Sequence, residues 1–305
     1  MNRARDGFTM ITVLWVMTVA AVVAAAGALH GRDSVNAAIN RLHLDRAFWL
    51  ATACVSRAES AIDARLASAA SLDDAAAAWR VLGRVVPPMI VADPACTITL
   101  EAAGTRLDVN GASEEMLENL FAAIGRDDAV DLASSLADWR DSDDVARPGG
   151  AERDWYASTR RDLPRNGPLA DLRELRRVRG FEQPGTFDSV FTTEPGRVSL
   201  ATAPVSVLLA VPGFTRETAD QLVALEEAGT PVPDVLSVLG LVSKASADSL
   251  RARYPDIVRV TTPDPDAWLL AVRASVGAPA VSVTLVRRLL RGGRRAVVVG
   301  ARSYL

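Results

Sequence analysis

Hydrophobic and polar positions change rhythm along this chain. From Phe8 to Leu29 there is no charged residue, and apolar side chains fall on every helical face. At about 1.5 Å per residue, a helix of that length spans the hydrocarbon core of a bilayer. Beyond it, Val35, Ile39, Leu42, Arg46 and Trp49 keep helical spacing, and no proline occurs before Pro87. The pattern predicts one long helix, apolar all round in its first half and amphipathic in its second. Short strands are predicted at Ile90-Val91 and Cys96–Leu100, then again at Ile257–Thr261, Ala267–Ala274, Val281–Leu290 and Arg295–Val299. Gly292-Gly293 suits a hairpin turn between the last two. Trp49 and Trp268 read as core anchors.

The middle of the chain contains an internal repeat. RLDVNGASEEMLENL from Arg106 and RVSLATAPVSVLLAV from Arg197 align without gaps. Leu107 meets Val198, Val109 meets Leu200, Ala112 meets Ala203 and Leu117 meets Leu208. Each copy reads as an extended lead-in followed by a helix start, with Ser113 and Thr202 as predicted caps and Pro204 in a first turn. The strands on either side of this helical block would form one sheet against the lower half of the long helix. The expected class is α+β: a long N-terminal transmembrane helix, an antiparallel sheet and a large inserted all-α domain.

Charge and composition narrow the function. The 305 residues carry a net charge of −3, which does not favour nucleic acid as a main partner. No GxSxG, Walker loop or HExxH is present, so no enzyme class is indicated. His30 and His43 fall on the long helix and read as surface or packing residues. Cys54 and Cys96 are too far apart for a CxxC motif. In an oxidising compartment they can pair; otherwise they are small buried thiols. Arg3 and Arg5 before the apolar run, against a neutral Arg32-Asp33 after it, orient the N-terminus to the cytoplasm. A removed signal peptide, with cleavage near Ala28, is the rival reading; the long run and the unbroken helix argue against it.

RARDGFTMITVLWVMTVAA (Arg3–Ala21), a charged leader ending in Gly-Phe before an apolar helix, resembles the type IV pilin and pseudopilin family. That resemblance implies cleavage between Gly7 and Phe8 by a prepilin peptidase and N-methylation of Phe8. Most family members carry glutamate where this chain has Thr12. The subgroup that departs in this way is the minor pseudopilin K of type II secretion systems, at the filament tip, and Thr12 marks that position. VPGFTRETADQLVAL (Val211–Leu225) resembles a helix-hairpin-helix, or SAM-like, module, which that subgroup carries as an inserted helical domain. Thr215 replaces the second glycine of nucleic-acid-binding versions, and Glu217, Asp220, Glu226 and Glu227 make the local field negative.

The resemblance divides the chain into a leader at 1–7, a transmembrane helix at 8–29, a lower helix and first part of a pilin-like domain at 30–105, the inserted helical domain at 106–250 and C-terminal strands at 251–305. It implies a single-pass inner-membrane protein with a periplasmic globular part. It implies as partners the minor pseudopilins I, J and H, the prepilin peptidase and the inner-membrane secretion platform. A membrane-tethered DNA-binding protein of a competence-like system and a secreted hydrolase are the alternatives.

Between the repeats lies LADWRDSDDVARPGGAERDWY (Leu136–Tyr156), with Asp138, Asp141, Asp143 and Asp144 close together and Glu152 after a Pro-Gly-Gly turn. Several carboxylates on a turn-rich backbone suit a hard cation, but the spacing is not that of an EF-hand. A solvated acidic loop salted with Arg140 and Arg147 fits the residues equally well. The resemblance to pseudopilin K implies calcium here, with Asp138, Asp141, Asp143 and Asp144 as ligands.

Overall fold

The computed structural model describes residues 3–84, 96–183 and 187–304. The predicted strand at Ile90-Val91 lies outside the described residues. Helix α1 (Arg3–Ala67) is continuous, and its backbone is helical through Gly7 and Phe8. It is, among the described residues, the one helix long and apolar enough to cross a membrane. Met10, Trp15, Val16 and Val23 are all more than half exposed on its upper part.

The lower part of α1 behaves differently. Ala47, Ala51, Val55, Ala58, Ile62 and Leu66 recur at three- and four-residue intervals and are all buried. Small alanines let the helix lie close on a four-stranded antiparallel sheet. That sheet has the order β1 (Cys96–Ala102), β6 (Trp268–Val276), β7 (Val281–Gly292), β8 (Arg295–Tyr304). Trp268, Leu270, Val272 and Ala274 alternate toward the helix, as do Val283, Leu285 and Leu289 of β7. Helix α2 (Leu72–Arg80), started by a Ser71–Asp74 capping box, closes the end of this core. Its Trp79 donates to the Pro265 carbonyl at 2.8 Å, and Trp268 donates back to the Trp79 carbonyl at 2.9 Å. Cys54 of α1 and Cys96 of β1 form a disulfide.

Trp49 is no core anchor: it is 68 % exposed and meets Phe48 edge-on. It stands off the buried stripe, because the adjacent Ala47 and Ala51 face the sheet.

The helical unit is inserted between β1 and β6, which are neighbours in the sheet, and Ala103 N–H donates to the Ala267 carbonyl at 2.8 Å where it leaves and returns. It has its own core, centred on Phe121, Phe181, Phe187 and Phe191 in edge and tilted ring contacts. In its first half, β2 (Leu107–Asp108) leads to α3 (Glu114–Ala123) and α4 (Ala129–Arg140), followed by α5 (Arg153–Ser158), a 3-10 turn at Leu172–Arg177 and β3 (Phe191–Thr192). In its second half, β4 (Val198–Ser199) leads to α6 (Val205–Leu208) and α7 (Arg216–Glu227), followed by a 3-10 turn at Val235–Val238, α8 (Lys244–Ala252), α9 (Tyr254–Val260) and β5 (Thr261–Thr262).

The two halves share hydrogen bonds position by position. β2 pairs in parallel with β3, and β4 with β5. Val109 N–H donates to the Thr192 carbonyl and Leu200 N–H to the Thr262 carbonyl, both at 2.9 Å. Ala112 N–H returns to the Asp108 carbonyl as Ala203 N–H does to that of Ser199. Leu117 N–H closes on Ser113 as Leu208 N–H does on Pro204.

Two local expectations are corrected. Ile257–Thr261 is not a strand but the end of α9, with only Thr261 entering β5. Pro255 sits in the first helical turn, and Ile257 is buried while Val258 faces outward. Ser113 caps α3 by accepting from Met116 N–H, but Thr202 caps nothing. Its hydroxyl instead accepts a 3.2 Å bond from Thr105, and Pro204 holds the cap position without a side-chain acceptor.

Candidate functional site

The acidic loop folds around the end of α4. Asp138 falls in its last turn on the buried face and is fully buried. Asp141 follows at the C-cap, and the chain returns through Arg147-Pro148-Gly149-Gly150. Gly149 has φ +79°, and a Cβ on Gly150 would stand 2.0 Å from the Asp138 carboxylate. Only glycine lets the backbone approach this closely. The return delivers Glu152 to the start of α5, 4 % exposed. Asp138, Asp141 and Glu152 each offer a carboxylate oxygen within 4.8 Å of the others.

One guanidinium faces two of these acids. Arg147 Nη1 donates to Asp138 Oδ1 at 2.6 Å and to Asp141 Oδ2, and its backbone N–H donates to Asp138 Oδ2 at 3.2 Å. Its Nε lies 3.3 Å from Glu114 Oε2 at the start of α3. Asp141 and Asp138 hold the Arg147 guanidinium above its ordinary pKa. Glu152 has no such partner: neither of its buried oxygens accepts a hydrogen bond, nor does Asp141 Oδ1. Burial, with added repulsion from Asp138, Asp141 and Asp144, pushes Glu152 up to about 7. Orphaned buried carboxylate oxygens are costly, and one guanidinium does not neutralise three acids. An all-oxygen donor set short of positive charge is one that a hard divalent cation fits.

Of the four aspartates expected as ligands, the fold brings Asp138 and Asp141 together. Asp143 and Asp144 stay on the exposed side of the loop. Asp143 accepts from Val145 N–H at 2.9 Å, forming a local turn, and Asp144 accepts from Asn166 Nδ2 at 3.1 Å. Glu152 takes the third place, and Arg147 is a member of the cluster and no mere surface counter-charge. The Gly-Gly turn before Glu152 was the signal in the sequence that the chain doubles back there.

The floor beneath the cluster is aromatic. Tyr156 packs edge-on against Trp139 and Trp155, and its hydroxyl accepts from Arg179 N–H at 3.0 Å. Burial pushes the Tyr156 phenol up to about 12. Arg179 stacks over Trp155 and donates to the Gly150 carbonyl at 2.8 Å, fixing the turn from behind.

The second half of the helical unit has a carboxylate of its own. Gly213, with φ +89°, makes the turn into α7, and Thr215 caps it. Glu217 accepts from Ser243 N–H at 2.8 Å, from Ser243 Oγ at 2.6 Å and from Ser246 Oγ at 2.7 Å. These hydrogen bonds hold Glu217 below its ordinary pKa. An acid bound across the starts of α7 and α8 opposes a phosphate there.

Residues 98–186 match the family model described as Type II secretion system (T2SS), protein K. The matched segment runs from within β1 to a few residues before β3 and contains the whole carboxylate cluster. Over this segment the resemblance to the protein K family drawn from the sequence holds. A solved structure is also similar: a chain of the GspK-GspI-GspJ complex of the enterotoxigenic Escherichia coli type 2 secretion system. It matches with a TM-score of 0.57 at 18 % identity, over 87 % of this chain and 98 % of that one. The likeness extends the shared fold beyond the matched segment to most of the molecule. No curated protein sequence matches the chain.

Proposed function

We propose that this chain is a minor pseudopilin of the protein K type, held in the inner membrane by residues 8–29 until it enters a secretion filament. One arrangement carries the reading. An apolar-then-amphipathic helix lies on an antiparallel sheet, and a helical unit is inserted between two neighbouring strands, with the protein K match in that insertion's first half. The subunit is structural and non-enzymatic. Its partners on this reading are minor pseudopilins I and J, with H, the prepilin peptidase and the inner-membrane platform beside them. Thr12 and the bulk of the helical unit favour the filament tip. The disulfide between Cys54 and Cys96 favours an oxidising, periplasmic side for the globular part, in line with the arginine-rich leader.

Asp138, Asp141 and Glu152 are the proposed ligands of a calcium ion. When bound, the ion supplies positive charge and ties the end of α4 to the start of α5. Asp138 and Glu152, both buried, set the depth of the site, while Asp141 reaches it from the rim.

The test of the main reading is the mature N-terminus, measured by mass spectrometry with and without the cognate prepilin peptidase. A product starting at N-methylated Phe8 that vanishes without the peptidase is expected. A product starting near Leu29 regardless of that peptidase would overturn the pseudopilin reading.

A further inference from the structure

Arg147 binds two of the three clustered carboxylates, Asp138 and Asp141, which a cation held there would also need. Its guanidinium spans Asp138 and Asp141, two of the three acids within 4.8 Å of one another. Its Nε is 3.3 Å from a fourth acid, Glu114, which is the first residue of α3. Glu114 is held from the other side by Ser134 Oγ at 3.0 Å. Arg147 is also the residue before the Pro-Gly-Gly turn, so its side chain hangs from the loop that carries Glu152.

We infer that Arg147 is a resident counter-cation that competes with the metal ion, and that metal binding transfers its guanidinium from Asp138 and Asp141 to Glu114. The inference rests on the calcium reading above. Two cations within the reach of the same carboxylates repel, so the ion and the guanidinium cannot share Asp138 and Asp141 at full strength. The guanidinium has a short way to go, because Glu114 is already within ion-pair distance. An acid at a helix start is favourable in itself, so Glu114 does not depend on Arg147 for its place at the start of α3. The exchange moves no backbone element. Arg147 keeps the cluster folded before the ion arrives and sets the threshold at which the ion is taken up. Glu152, which Arg147 does not bind, is left for the ion.

The experiment is calcium titration of the full-length protein in detergent after chelator treatment, by calorimetry and by the fluorescence of Trp139 and Trp155 against the cluster. Arg147→Gln is expected to bind calcium at least tenfold more tightly than the unaltered protein. Glu114→Gln is expected to bind it several-fold more weakly, and to have no effect when Arg147→Gln is already present. Saturable binding by the unaltered protein with equal or weaker binding by Arg147→Gln would overturn the competition and leave the calcium site standing. An unchanged affinity in Glu114→Gln would do the same should Arg147→Gln not fold. No saturable signal in any variant would overturn both readings.

Discussion

The two halves of the helical unit share a frame and differ in what their carboxylates are given. In the second half, Glu217 is solvent-exposed yet receives three donors from Ser243 and Ser246 and is held below its ordinary pKa. In the first half, Glu152 is buried, receives none and is pushed up to about 7. A carboxylate whose donors all come from its own chain is part of the scaffold. One that is buried and left without them is where the proposed ion would supply the missing charge. The repeat thus carries one closed half and one open half, and the open half is the one inside the protein K match.

The largest effect should come from removing the ion. At calcium a hundredfold above its dissociation constant, binding adds about 2.7 kcal/mol to stability. Thermal melts with and without chelator should therefore separate by several degrees, and coincident melts would erase the contrast between the halves. Glu152→Gln sharpens it next. With chelator present the variant should be more stable by about 1–3 kcal/mol, since it removes a charge that burial disfavours. With calcium present it should lose most of the metal-dependent rise, as read by the same melts.

Caps give a smaller, independent comparison. Ser113→Ala removes the α3 cap and should cost about 1 kcal/mol by urea unfolding. Thr202→Ala, two residues before Pro204, which holds the matching cap place in the other half, removes no cap and should cost less than half of that. Equal losses would mean that the hydroxyl of Ser113 does not act as a cap. Smallest, and confined to the closed half, Glu217→Gln should lower the melting temperature slightly and leave the calcium response unchanged. A loss of calcium binding in that variant would show that the halves are coupled.

Most of the frame was legible in the chain. The uncharged run from Phe8, the unbroken spacing to Trp49 and the apolar alternation after Ala267 correspond to α1 and to β6, β7 and β8, the last extending to Tyr304. The repeat was visible because apolar positions and lead-in residues recur in register. What failed was local. Ile257–Thr261 has strand-like composition, but Pro255 and the single buried face made it a helix. Trp49 is large and apolar and lies on the outer side of α1 all the same, since a helix buries a stripe and not a residue type. The site was half legible. Asp138 and Asp141 are three apart at the end of one helix and so come together by local geometry. Glu152 reaches them only because two glycines turn the loop, and Asp143 is diverted by its own backbone turn. Carboxylate spacing alone does not reveal which acids the tertiary fold will bury.

The point where the helical unit leaves and rejoins the sheet has a mechanical meaning. Ala103 and Ala267 are joined by one backbone hydrogen bond, so the insertion leaves and returns at adjacent residues of neighbouring strands, and Arg288 of β7 and Arg302 of β8 tie it to the sheet through Pro195 and Glu194. A pull along α1, such as withdrawal from a bilayer demands, would run through the disulfide into β1 and across the sheet. The insertion would sit to one side of that line of tension, tied to the sheet by ion pairs as well as by the chain. The carboxylate cluster belongs to the insertion and so lies outside the covalent line that runs from α1 through the disulfide to β1.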